Sequence, residues 1–263
     1  MARWTFFGKL HPERVPISSG QSHRGKATVS TLGLDFEFRI ELHASQLILD
    51  INVLSGNADI GTLKNLATSL ARGLAHIIGY RVGGHFDAEI VSAIDRDSDD
   101  WRVFGVEIPV VADKRRRERT GERIEVRTAL FMAVGQSTAA QMALDDFTSA
   151  MLRPTDTGFY CYRAIEAMMQ SMKSGPTDTN DGPAWERLRT DLRVERAVIA
   201  VVQKHAEMPR HGKPTGMSDA DRATVLDLTD RIIERFLAYL LAGKQALSES
   251  DFPTLRLATL GAP

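Results

Sequence analysis

Apolar and polar residues alternate strictly over one stretch of the chain, from Gly33 to Leu42. Because successive side chains of a strand point to opposite faces, this pattern predicts a strand with one buried and one solvated face. The alternation returns in the stretch Gln46 to Leu54, and the short connection between the two favours a hairpin. We expect three apolar side chains of the first strand to share the buried face: Phe36, Phe38 and Ile40.

One helix interrupts this β-rich half. Between Asp59 and Gly79, leucine and isoleucine recur every three or four residues, which is the spacing of one helical face. Asp59 suits the N-cap and Gly79 the C-terminal stop. The predicted face consists of Leu63, Leu66, Leu70, Leu74 and Ile77. The stretch from Trp101 to Val111 indicates a later strand, with Pro109 at an edge or an end. We therefore predict an antiparallel sheet with one packed helix.

The stretch from Asp113 to Arg123 is dense in charge and has no periodicity. This composition is typical of an exposed loop or strand extension near a domain boundary. Its cations allow a second interpretation, a patch that contacts a phosphate backbone. Glu118 and Glu122 dilute the positive charge, so we favour the solvated connector.

The chain changes to helical spacing after Thr128, and four helices are predicted, over residues 130–152, 157–173, 181–208 and 218–243. Asp181 caps the third helix, and Pro209 ends it. Ser218 begins the fourth, with Asp221 as its capping partner. The buried stripe of the third helix is formed by Trp185, Leu188, Leu192, Ile199 and Val202. Short connections predict antiparallel neighbours and hence a four-helix bundle.

The sequence thus predicts an α+β protein with a β-rich domain (1–127), a helical bundle (128–247) and an extended C-terminal tail (248–263). The formal net charge of −1 gives no overall field that attracts nucleic acid. The single cysteine, Cys161, excludes an intramolecular disulfide and suits a reducing cytoplasm. We find no signal-peptide pattern and no apolar run long enough to span a bilayer. We expect a cytoplasmic protein without a membrane partner.

His205 and Glu207 match the H-x-E half of a zinc deaminase motif. The paired cysteines that would hold the zinc are missing, and the seven histidines show no H-E-x-x-H spacing. We expect neither a metal nor a cofactor. Cys161 lies among aromatic residues in a predicted helix, which favours a buried small apolar residue over a nucleophile.

Two short motifs of the helical half carry a resemblance. The stretch FYCYRAIEAMM, Phe159 to Met169, places Arg163 and Glu166 on one helical turn, and RHG, Arg210 to Gly212, follows the third helix. In this order the motifs resemble the HEPN superfamily over residues 130–247, and most of all a bacterial branch with a YRAIE-type helix before RHG. The resemblance implies a four-helix-type bundle that dimerises. In many members it also implies a metal-independent ribonuclease of toxin or defence systems, built on an R-x4-6-H motif.

The resemblance points to a site at the end of the third helix. A histidine there can move a proton at a ribose 2′-hydroxyl, and a cation can stabilise the charge of the phosphorane. The candidate catalytic residues are His211 and Arg210, supported by Lys204, His205, Glu166 and Arg163. We expect His211, Arg210, Glu166 and Arg163 to lie near one another.

The sequence departs from the R-x4-6-H motif. The positions that precede His211 at that spacing hold Lys204, His205 and Ala206, none of which is arginine. A structural interpretation is therefore open as well. Arg163 and Glu166 can form an ion pair inside the bundle, and the cations of RHG can bond the last carbonyls of a helix.

Two functional hypotheses follow. The first is a metal-independent endoribonuclease of a bacterial defence or toxin-type system. The alternative is a catalytically silent dimeric module that docks a protein or a nucleic acid such as RNA, and the missing spacing favours it. We expect a homodimer through the helical half, because the resemblance implies it and the fourth helix carries more apolar surface than one stripe. That surface consists of Val225, Leu228, Ile232, Ile233, Phe236, Leu237 and Leu240.

Overall fold

The computed structural model describes residues 2–13, 16–105, 108–118, 127–173, 175, 179–210 and 216–259, and only the backbone of 114–118, 208–210 and 259. The chain divides into two compact units. The sheet unit comprises Met1–Glu107, Arg153–Thr155 and Pro214–Asp221, and the helical unit comprises Ile108–Leu152, Asp156–Lys213 and Arg222–Pro263. The predicted α+β class is confirmed, with an antiparallel sheet in the first half and helices in the second. The predicted domain boundaries after residues 127 and 247 stay predictions.

The sheet has six strands: β1 Arg3–His11, β2 His23–Val29, β3 Leu34–His43, β4 Gln46–Ser55, β5 Asp87–Asp95 and β6 Trp101–Val103. Their order is β2-β3-β4-β1-β5-β6, and all neighbours are antiparallel. The predicted hairpin is β3–β4. Its two turn residues, Ala44 and Ser45, have φ of 46° and 65°, a left-handed pair that matches the twist of the strands. The predicted face is confirmed, because Phe36 and Ile40 are buried and Phe38, half-buried, packs against the same core.

Helix α1, Ile60–Val82, packs on this core, and its predicted face is confirmed in part: Leu63 is buried, and Leu66, Leu70 and Leu74 are half-buried against the core. Its fully buried apolar stripe consists of Leu63, Ala67, Ala71 and Ala75, whereas Ile77 is 63% exposed. Alanines let the helix axis lie close to the strands, and the leucines beside them are only partly covered. The carboxylate of Asp59 caps the helix by accepting from the Thr62 amide at 2.6 Å, as predicted. The stop is Gly83, in the left-handed conformation at φ 72°, and not Gly79.

The interpretation of residues 101–118 as a strand and a charged loop is wrong beyond Val103. Helix α2, Pro109–Glu118, begins where the strand was expected to end. Proline lacks an amide hydrogen and has a helical φ, so it suits the first turn of a helix as well as the end of a strand. The Ile108 carbonyl accepts from the amides of Val111 and Ala112, which closes that first turn. Residues 119–123 lie outside the described part of the chain.

The helical unit continues with α3 Thr128–Gly135, α4 Thr138–Leu152, α5 Thr157–Gln170, α6 Asp181–Asp191, α7 Arg196–Arg210 and α8 Asp219–Leu241. Helix α5 packs against α4, α6 and α7. Two predicted helices are each divided. The first breaks between α3 and α4, where the Ser137 hydroxyl accepts from the Ala140 amide and starts α4. Where four helices were predicted, the described residues therefore form more helices, and shorter ones. The HEPN-like four-helix bundle stays a prediction.

The predicted third helix breaks between α6 and α7. Arg193 has φ 55°, and Val194 forms a parallel bridge with Leu255 of the C-terminal tail. The tail is thus attached to this break by backbone hydrogen bonds. Helix α6 is capped by the Asn180 side chain, which accepts from the Gly182 amide, and not by Asp181.

Helix α7 continues through Pro209 to Arg210, although Pro209 was expected to stop it. A proline in the last turn removes one hydrogen bond, to the carbonyl of His205, and leaves the rest of the helix intact. Helix α8 is capped as predicted: the Ser218 hydroxyl accepts from the Asp221 amide at 3.0 Å.

The apolar surface of α8 is not free for a second copy. Val225, Leu228, Ile232, Ile233 and Phe236 are buried in the chain's own helical core, and Leu237 and Leu240 are half-buried. The argument for a homodimer from this helix is therefore wrong. Among the described residues, none of the helices combines the length and apolar character needed to cross a bilayer.

Candidate functional site

The helices that carry the predicted site, α5 and α7, lie side by side and antiparallel. Gly158, at the start of α5, lies against His205, near the end of α7. Tyr162, one turn further along α5, lines a pocket together with Gln203 and Ile199 of α7. A Cβ at Gly158 would lie 2.3 Å from the His205 carbonyl oxygen, so only glycine allows this approach.

Arg163 of α5 forms an ion pair with Asp146 of α4. Its Nε lies 2.9 Å from each carboxylate oxygen, and its Nη2 donates to the same carboxylate. Asp146 is only 2% exposed, and this hydrogen-bonded carboxylate raises the pKa of Arg163. The guanidinium also lies over the rings of Tyr160 and Phe159, at 5.0 and 5.3 Å from their centroids. Its position is thus fixed from two sides.

Sequence reasoning missed Asp146. The predicted ion-pair interpretation assigned Glu166 to Arg163, whereas the carboxylate that holds Arg163 belongs to a neighbouring helix. Glu166 is half-buried, one turn further along α5. One sequence feature could have indicated Asp146: the acidic pair Asp145 and Asp146 stands between apolar residues in the stretch MALDDF of α4.

The remaining candidates lie on or after α7. Lys204 is exposed and His205 is half-buried. Arg210 is the last residue of α7, and only its backbone is described. His211 lies outside the described residues. The expected cluster of His211 with Arg210, Glu166 and Arg163 therefore stays a prediction, and the structure brings together only the helices that carry it.

Cys161 is fully buried, as predicted. Burial raises the pKa of its thiol to about 12, which keeps it protonated and unreactive at neutral pH. Within the described parts of the chain, no three histidine, cysteine or acidic side chains come close enough to hold a metal ion.

A pocket of about 420 Å³ lies between α5, α6 and α7. The ring of Tyr162 stacks on Trp185 of α6, with centroids 6.2 Å apart and planes 16° apart. Trp185 is half-buried: it packs against the helical core, as predicted, and also lines the pocket. Two cations lie beside these rings, Arg189 in the last turn of α6 and Arg196 at the first position of α7.

Neither Arg189 nor Arg196 has an ion-pair partner among the residues that the structure describes. A cation at the first position of a helix faces the positive end of the helix dipole, which is unfavourable. An anion in the pocket would relieve both conditions, since it would meet the two guanidinium groups that line it. A planar ring can stack on the indole next to it. Sequence reasoning found none of these pocket residues as a site.

A second cavity, of about 500 Å³, lies on the sheet unit. Most of its charges already have partners: Lys26 pairs with Glu37 at 2.7 Å, and Asp50 accepts from Thr5 at 2.6 Å. This mutual pairing leaves less free charge than in the helical pocket. Its lining consists of Arg24, Gly25, Lys26, Glu37, Phe38, Arg39, Asp50, Asn52 and Arg96.

Comparison with known families assigns both halves of the chain. Residues 4–104 match the N-terminal domain, and residues 127–241 the C-terminal domain, of one domain of unknown function, DUF8168. No curated protein and no solved structure matches the chain. The matching descriptions carry no activity, so the HEPN resemblance stays a prediction. Because the two matches cover most of the chain in the order of the family's domains, the chain belongs to the DUF8168 family.

Proposed function

We propose that the chain is a HEPN-like, catalytically silent binding protein of the cytoplasm that holds RNA in the pocket between α5, α6 and α7. The observation that carries the proposal is the combination of a partly open indole, Trp185, with two guanidinium groups, Arg189 and Arg196, that no described carboxylate pairs. Single-stranded RNA offers unstacked bases for the indole and phosphates for the guanidinium groups. The chain's net charge of −1 makes this local site, and not a long-range field, the source of affinity.

Binding is favoured over cleavage because of Arg163. A ribonuclease of the HEPN type needs an arginine beside a histidine in an open cleft. The Arg163 guanidinium is instead held by the buried Asp146 and by two aromatic rings. The spacing before His211 supports the same conclusion, since no arginine stands at the required distance. A homodimer through the helical half remains part of the proposal on the HEPN resemblance alone.

The test is an RNA-binding assay in which the same RNA is afterwards checked for cleavage. The full chain is titrated into labelled single-stranded RNA in the presence of a chelator, at low and at moderate salt, and the RNA is then examined on a denaturing gel. We expect salt-dependent binding and intact RNA. Arg189→Ala and Arg196→Ala should each weaken binding roughly tenfold or more, because each removes a charge-assisted contact. Arg81→Ala is the matched control, an exposed arginine on α1 of the sheet unit that does not line the pocket.

The outcomes separate the two hypotheses. Binding that is insensitive to both pocket arginines would contradict the proposed site. Cleavage by the wild-type chain that disappears in His211→Ala would establish the ribonuclease hypothesis and refute the silent one.

A further inference from the structure

The cavity of about 500 Å³ on the sheet unit, here called the sheet cavity, lies on the outer face of β2, β3 and β4. Along β3, Glu37 and Arg39 alternate with the buried Phe36 and Ile40, so they point to the solvated face. The strand register aligns the polar side chains of this face in two rows, and each row begins with a cation on β2. The rows are Arg24, Arg39, Asp50 and Lys26, Glu37, Asn52, and all six residues line the cavity.

Arg24 is the cation that the other residues of the sheet cavity leave unpaired. The remaining cations of the lining have carboxylate partners: Lys26 has Glu37 at 2.7 Å, Arg39 has Glu41, and Arg96 has Asp50 at 3.7 Å. Arg24 is exposed and has no such partner among the residues that the structure describes. It lies directly opposite Arg39 on the neighbouring strand, where like charges destabilise a strand pair. An anion between the two guanidinium groups would remove this repulsion.

The two opposed arginines favour a phosphate over a carboxylate. The Cβ atoms of Arg24 and Arg39 are about 5 Å apart, as in any directly opposed pair, so both guanidinium forks can reach one ligand group. A carboxylate has two oxygens and satisfies one fork. A phosphate monoester has three free oxygens and almost two negative charges at neutral pH, which is enough to bridge both.

The β4 side of the sheet cavity favours hydroxyl groups. Asp50 and Glu37 already have cationic partners, so neither requires an ammonium group from a ligand. Their oxygens and the Asn52 amide can still form hydrogen bonds with neutral hydroxyl groups. Strands β2 and β4 are two strand spacings apart, about 10 Å, which a small phosphorylated sugar spans.

We propose that the sheet cavity binds a phosphorylated, polyhydroxylated small molecule of the sugar phosphate class. Its phosphate lies between Arg24 and Arg39, and its hydroxyl groups bond Asp50 and Asn52. All of these residues belong to the sheet unit, so the site is independent of the proposed RNA pocket.

The experiment is isothermal titration calorimetry of the full chain carrying Arg189→Ala and Arg196→Ala, so that these two arginines contribute no phosphate binding. The probes are ribose 5-phosphate, inorganic phosphate and ribose, at constant ionic strength. We expect saturable binding of ribose 5-phosphate, at least about tenfold weaker binding of inorganic phosphate, and none of ribose.

Arg24→Ala in this background should weaken the binding of ribose 5-phosphate at least about tenfold, because it removes a charge-assisted hydrogen bond. Without ligand, its urea midpoint should not fall, since the substitution also removes the repulsion with Arg39. Arg102→Ala is the matched control, an exposed arginine of β6, the other edge strand, which does not line the cavity. It should leave the affinity unchanged.

Three results would overturn the site: no saturable binding of ribose 5-phosphate, equal binding by Arg24→Ala, and an equal loss in Arg102→Ala. Inorganic phosphate that binds as tightly as ribose 5-phosphate would refute the role of Asp50 and Asn52. Weaker binding of single-stranded RNA by a chain that carries Arg24→Ala alone would assign the cavity to RNA instead. The RNA pocket is tested by Arg189→Ala and Arg196→Ala, so the failures of the two proposals are distinguishable.

Discussion

The close contact between α5 and α7 makes Gly158→Ala a sensitive test of the structure. Gly158 is the second residue of α5. A Cβ at this position would lie 2.3 Å from the carbonyl oxygen of His205, 2.6 Å from the carbonyl carbon and 2.8 Å from the Cβ. The first two are backbone atoms of a regular helix, so no side-chain rotation relieves the overlap. One helix must move away from the other.

The magnitude follows from two opposing effects. Overpacking of a well-packed interior costs about 1–3 kcal/mol. Alanine regains about 0.5–1 kcal/mol over glycine inside a helix, and less in the first turn, where Gly158 lies. We therefore expect Gly158→Ala to lower the free energy of unfolding by about 1–2 kcal/mol.

The assay is urea unfolding followed by circular dichroism, with Gly73→Ala as the matched control. Gly73 lies exposed in the middle of α1, and a Cβ there would meet nothing within 4 Å. This substitution should raise stability by about 0.5–1 kcal/mol. The two glycine-to-alanine changes thus differ in sign. Stabilisation by Gly158→Ala similar to that by Gly73→Ala would refute the α5–α7 contact.

Three further predictions concern the rest of the molecule. Ser218→Ala should lower the free energy of unfolding, measured by urea titration, by about 1 kcal/mol, because it removes the hydroxyl that caps α8. Ser218→Asp should retain most of the wild-type stability, because aspartate also caps helices well. Arg163→Ala should lower the free energy of unfolding by about 1–3 kcal/mol in the same assay, less than the loss of one partner of a fully buried ion pair, because the Arg163 side chain is 43% exposed. Adding Asp146→Ala should restore part of that stability, since no unpaired carboxylate then stays buried. Burial raises the pKa of Cys161 from 9.0 to about 12, so the unfolded chain loses the thiol proton first. The stability that this thiol contributes is complete below pH 9.0 and decreases as the pH rises towards 12, so the urea midpoint of wild type should fall more steeply there than that of Cys161→Ala.

Local sequence patterns predicted those features whose interacting residues are close together in the sequence. The β3–β4 hairpin follows from alternation in two neighbouring strands, and the caps of α1 and α8 follow from Asp59 and Ser218. The buried face of α1 was predicted only in part, because helical spacing fits both the leucine row and the alanine row. Only the distance to the sheet decides between them, and alanine allows the closer approach.

Proline could not be interpreted from local pattern alone. Pro109 begins α2, although its surroundings fit the end of a strand, and Pro209 lies within the last turn of α7. In both places the missing amide costs little, since the first turn of a helix has unpaired amides anyway and the last turn loses a single bond. The ion pair of Asp146 likewise could not be predicted from local pattern, because its partner Arg163 lies on another helix.

The RNA pocket shows why a site can escape sequence reasoning although all its residues are visible. In one continuous helix, Arg189 and Arg196 would lie two turns and about 10 Å apart along a single face. The break between α6 and α7 instead directs both towards the pocket beside Trp185. That break is held from the C-terminal tail: the Leu255 amide donates to the Arg193 carbonyl at 2.8 Å, and the Glu195 amide donates to the Leu255 carbonyl at 3.1 Å. Leu255 follows Arg193 by 62 residues, so no pattern within residues 181–208 can indicate the break. The placement of the two cations that carry the proposed function therefore depends on a tail segment beyond the matched residues 127–241.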